Sequence, residues 1–119
     1  MTTDQARALI LLDAARIAND DGALGDPDAI VHGARLGAGQ YAGGVANPSL
    51  SFEARSRWFA TLVETTADIA ALKAWRLRTG SLHHEASEAL DRVIADAADR
   101  ATIAVLVLLN GEPELEAVA

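Results

Sequence analysis

The densest gathering of chemically capable side chains is the stretch AWRLRTGSLHHE, residues 74–85. Lys73, Arg76 and Arg78 come before Gly80, and Ser81, His83 and His84 come after it. If one helix stops at this glycine and another starts beyond it, the arginine forks, the free amides of the second helix and its positive dipole end meet at one tip. That combination suits an anion. The histidines would add donors that strengthen below neutral pH. The ligand class implied is a small phosphate-bearing molecule, a nucleotide or cyclic nucleotide. A purely structural reading stands beside it: cations in a last helical turn offset the helix dipole with no ligand, and Trp75 serves equally well as a packing residue with Arg78 stacked on it.

Other chemistries are less well supplied. His84 and Glu88 share a helical face, but helical di-metal sites draw a Glu-x-x-His from each of two helices, and residues 48–78 hold no histidine. The acidic pairs Glu85/Glu88 and Asp96/Asp99 fall on one helix and on different faces, which makes a shared magnesium hard to build. NDDGALGDPD, residues 19–28, is rich in oxygen ligands but lacks the alternating acids of an EF-hand loop. Gly37-x-Gly39 has no preceding strand, so it is not a dinucleotide fingerprint. Serines 49, 51, 56, 81 and 87 sit in no nucleophile elbow, and the histidines are only His32, His83 and His84. Neither metal nor cofactor is called for, and the chain leans away from enzymology.

The elements that must position these groups are punctuated clearly. Thr2 and Gln5 have capping-box spacing, and Ala6, Leu9, Ile10, Ala14, Ile17 and Ala18 follow at helical spacing, so a first helix is expected over about 3–20. Asp26-Pro27 opens a second over about 27–42, with Ile30, Ala34, Ala38 and Tyr41 on its stripe. Its glycines Gly33, Gly37 and Gly39 each cost ~1 kcal/mol relative to alanine, which implies close packing against a neighbouring helix. Asn47-Pro48 starts a third helix, with Ser51 as an alternative cap, running unbroken to about 78, ~45 Å at ~1.5 Å per residue. Ser81 is expected to cap a fourth over about 82–109, burying Leu82, Ala86, Ala89, Leu90, Val93, Ala97, Ala101, Ala104 and Leu108. Residues 112–119 read as a frayed acidic tail.

The fold class expected is therefore all-α: one domain, 1–119, built on a long antiparallel hairpin with two shorter helices against it, like a four-helix bundle. The third helix is apolar on two sides, Trp58, Leu62, Ile69 and Leu72 on one and Phe59, Val63, Ala70 and Leu77 on the other. Either the first two helices or a second subunit must cover the second side, and a homo-oligomer, a dimer first, is the expectation.

Bulk properties narrow the partners. Seventeen acids against ten bases, a formal charge of −7, disfavour non-specific nucleic-acid binding. The absence of cysteine removes disulfides and thiolate sites. The longest apolar run, residues 103–109, is far short of the ~20 residues of a membrane span, and the N-terminal residues lack the pattern of a signal peptide, so a soluble cytoplasmic chain is expected. The leading functional expectation is a non-catalytic helical binding and assembly module acting as an oligomer, with Tyr41, Trp58 and Phe59 as aromatic anchors for a protein partner. The anion-binding hairpin tip is the alternative, and a metal-dependent enzyme comes third.

Overall fold

The structure is a computed structural model that describes residues 1–20 and 26–112. Among these residues there are four helices and no strand: α1 Thr3–Asp20, α2 Pro27–Ala42, α3 Phe52–Thr79 and α4 His84–Asn110. The α3–α4 hairpin forms the long axis of a body 47 × 29 × 21 Å in extent. Helix α3 packs against all three others. Its two apolar sides are thus covered within one chain: Leu62, Val63, Ile69 and Ala70 are buried, and of the eight stripe residues only Leu77 is exposed.

The helix starts follow from side-chain acceptors. In α1 the Thr2 amide donates to Gln5 Oε1 at 2.9 Å and the Gln5 amide to Thr2 Oγ1 at 3.1 Å, a reciprocal capping box. In α2 Asp26 accepts from the Asp28 amide at 3.0 Å and Pro27 occupies the first turn. Helix α3 starts later than the Asn47-Pro48 signal predicts. Asn47 spends its side-chain oxygen on the Ser49 amide and its carbonyl on the Leu50 amide, which closes a turn, and Ser51 then caps α3 by accepting from the Ala54 amide at 3.0 Å.

The hairpin joint lies at Gly80, whose φ of 81° is open to glycine and strained for other residues, and its amide closes on the Arg76 carbonyl at 3.0 Å. The predicted cap at Ser81 is corrected: α4 begins at His84 with His83 at the N-cap, and no side chain caps it. The first half of the buried stripe of α4 is corrected too. Ala86, Ala89 and Val93 are exposed, and Ile94, Ala98 and Val105 are buried with Leu90, Ala97, Ala101, Ala104 and Leu108.

The core is rich in alanine. Ala6, Ala14, Ala34, Ala70, Ala98, Ala101 and Ala104 are wholly buried around Ile17, Leu62, Ile69, Val105 and Leu108. Small side chains let helix backbones approach closely, so contact replaces bulk. The buried hydroxyls of Thr65 and Thr102 donate to the carbonyls of Thr61 and Ala98, both at 2.7 Å, which meets their hydrogen-bonding need inside the core.

At the open end of the hairpin, the Asn47 amide donates to the Leu108 carbonyl at 2.7 Å. Glu112, the first residue of the expected tail, accepts from Arg57 at 2.9 Å and from the Trp58 indole at 3.1 Å. The rest of that tail, 113–119, lies outside the described residues, as do residues 21–25 of the acidic 19–28 stretch. No helix among the described residues is long and apolar enough to cross a membrane.

Candidate functional site

Three places gather chemically interesting side chains: the flank of the hairpin near its tip, the α1–α2 face, and the open end of the hairpin.

Near the tip, the structure divides the predicted cationic cluster between two sides of α3. Arg76 and Arg78 are two residues apart, slightly more than half a turn at 3.6 residues per turn, so they project in opposite directions. Lys73 and Arg76 line a groove of about 270 Å³ together with Ala15, Ala18 and Asn19 of α1, Leu77 of α3, and Asp91 and Ile94 of α4. Arg78 lines a different hollow with Pro27, Ile30 and Val31 of α2 and Asp68 of α3. His83 and Ser81 are exposed in the joint, and His84 Nε2 lies 3.2 Å from Glu88 Oε1 on the surface of α4. No third histidine or carboxylate among the described residues joins that pair to make a metal-sized group.

Arg76 is already occupied across the hairpin, donating to Asp91 Oδ1 at 2.9 Å and to Ser87 Oγ at 2.8 Å. Its charge is therefore spent on α4 side chains and is not held beside the free amides at the start of that helix, where the sequence predicts a shared anion. Lys73 is half-buried in the same groove and has no ion-pair partner among the described residues. Hairpin geometry accounts for this set: residues equidistant from the joint face each other, which brings Arg76 to Asp91 and Lys73 to the level of Ile94.

On the second face, Leu9, Leu12, Asp13 and Arg16 of α1 face Gly37, Gln40 and Tyr41 of α2 across a groove of about 410 Å³. The sequence called for close packing at the glycines, and Gly37 shows where it occurs. A Cβ there would run into the Asp13 carboxylate, whose Cγ stands 3.0 Å from that point. Asp13 is held in place by Arg16 at 2.7 Å. Tyr41 is half-buried, and its phenol is held above the ordinary value of 10.0, first by burial and second by the Asp13 carboxylate.

At the open end, Trp58 and Phe59 are half-buried against the core, with the Arg57 guanidinium 6.0 Å from the Trp58 ring centroid. The most exposed aromatic is instead Phe52, 84% accessible in the first turn of α3, which sequence reasoning passed over. Its position directly after the Ser51 cap was the available signal. Sequence reasoning also missed Leu12 and Leu36, which belong to no buried stripe and for that reason had no assigned place.

Comparisons of the chain with protein-family models, with curated proteins and with solved structures find no match in any of the three. The fold is an all-α bundle built around a long helical hairpin.

Proposed function

We propose that the protein is a non-catalytic helical assembly module that acts as a homodimer, with the α1–α2 face as its contact surface. One observation carries this reading: Leu12, 68% exposed, and Leu9, 41% exposed, line the Tyr41 groove, and Leu36, 65% exposed, lies one helical turn before Gln40 of the same lining. Aliphatic side chains left in water beside a concave, tyrosine-floored surface favour association, at ~1.5–3 kcal/mol for each one fully covered.

A second copy is the occupant that the chemistry of the rim favours. Asp13 and Arg16 already pair with each other at 2.7 Å beside the leucines, so the rim carries no net charge to repel the same patch on another copy. Compatibility of a patch with itself is what an isologous interface needs. Tyr41 would then lie at the floor of the interface, while Trp58 and Phe59 would keep to packing within the subunit.

The test is light scattering or sedimentation over a dilution series. The parent protein is expected to move from dimer to monomer on dilution, and Leu12→Glu with Leu36→Glu to be monomeric throughout while keeping its helical circular dichroism, because both side chains point into solvent. A parent that is monomeric at every concentration, or a double variant that still dimerises, would overturn the reading.

A further inference from the structure

We infer that the groove between α1, α3 and α4 binds a small organic monoanion with an apolar body, of the class of a medium-chain carboxylate. The site lies away from the α1–α2 face and does not depend on the assembly reading.

The walls set the body of the ligand. Ala15 and Ala18 of α1, Leu77 of α3 and Ile94 of α4 give aliphatic surface on three sides. The hollow of about 270 Å³ has room for about nine water-sized groups at ~30 Å³ each, which corresponds to a chain of roughly six carbons with its head group.

The charges set the head group. Lys73, Arg76 and Asp91 are the ionic residues lining the groove, so their formal charges sum to a single positive. Arg76 is fixed by Asp91 and Ser87, and two of its five N–H donors are used there, leaving others for a ligand. Lys73 has no ion-pair partner among the described residues and is half-buried along the groove, so an incoming anion meets a cation that no neighbouring carboxylate has neutralised. The Asn19 side chain is oriented at the groove by its amide nitrogen, which donates to the Ala15 carbonyl at 2.9 Å. A dianionic phosphate would bring one charge more than the groove neutralises, close to the Asp91 carboxylate, while a neutral alcohol would leave Lys73 unpaired. A monoanion with an aliphatic tail satisfies both halves of the site.

Sodium hexanoate is the probe, with inorganic phosphate and hexanol as comparison arms, read by amide chemical shifts and by melting temperature on the full chain. Hexanoate is expected to bind saturably, moving the signals of residues 15–19, 73–77 and 91–94 and raising the melting temperature. Lys73→Met is expected to weaken it by about 10- to 100-fold, the size of one charged hydrogen bond, and Lys73→Gln similarly. Arg78→Met, on the opposite side of α3, is expected to leave binding intact. Absence of saturable shifts with hexanoate would overturn the proposal. So would unchanged affinity in both Lys73 variants, hexanol binding as tightly as hexanoate, or phosphate binding more tightly than either.

Discussion

Gly39 and Gly80 both stand near the end of a helix, and replacing each by alanine should move stability in opposite directions. Gly39 lies inside α2, and a Cβ there would meet nothing within 4 Å. Alanine is expected to raise stability by ~0.5–1 kcal/mol through helix propensity and a less flexible unfolded chain. Gly80 has a φ of 81°, and alanine there is expected to cost about 1–3 kcal/mol. Paired thermal denaturation checks both signs. Tyr41 sets an alkaline limit. Burial first, and the Asp13 carboxylate second, raise its phenol above 10.0, so the folded chain keeps this proton to higher pH than the unfolded one. The stability thereby contributed is complete below pH ~10 and is lost as pH rises through the folded value. Since the chain has a single tyrosine, phenolate absorbance should report a midpoint above 10.0, lowered by Asp13→Asn. Tyr41→Phe should remove its share of the alkaline loss of stability, and a midpoint at or below the ordinary value would refute the assignment. Arg55 adds a residue-scale detail that the sequence concealed. Its Nε is buried without a hydrogen-bond partner among the described residues, in a hollow with Gly39, Ala42 and Gly43 at the end of α2. Helix α2 has no basic residue in its own last turn, and Arg55 supplies the positive charge that suits that end of the helix dipole.

Ser51→Ala belongs to the scale of elements and is expected to cost ~1 kcal/mol, because the hydroxyl holds the Ala54 amide at the start of α3. A destabilisation below about 0.3 kcal/mol in chemical denaturation would mean that water substitutes for the cap. The helices themselves were legible in the sequence because caps and stops are local chemistry. Thr2 with Gln5, Asp26 with Pro27, and the glycine stop at Gly80 all work as their types suggest. Illegible were the choices between two local solutions of similar energy. Asn47 closes a turn and leaves the cap to Ser51, and Ser81 yields the N-cap to His83 because the chain needs Gly80 to Leu82 to reverse direction. The stripe of α4 shifted for a related reason: Val93 and Ile94 are equally apolar, and only the position of α1 and α3 selects Ile94. The candidate site was half legible. Lys73 and Arg76 share a face by spacing, whereas Arg78, close to them in sequence, belongs to the opposite face. The contribution of Ala15, Ala18 and Asn19 needed the tertiary packing of α1.

At the scale of the whole molecule, a formal charge of −7 opposes association of two copies. The dimer is therefore expected to tighten as salt screens this repulsion, in contrast to a complex held by ion pairs. Dimer dissociation constants measured at low and moderate ionic strength check the sign, and weakening with salt would point to an electrostatic interface instead. Helix α3 is the hub because it meets every other helix, and the bundle buries its two apolar sides without help from a second subunit. That moves the case for assembly from the hairpin to the outer leucines. The grip of Arg57 and Trp58 on Glu112, together with the Asn47–Leu108 bond, ties off the end of the hairpin opposite Gly80. Tension applied at residue 112 would meet those side-chain bonds before it reached any turn of α4. Mechanical unravelling from that side thus begins with a latch, not with a loose thread.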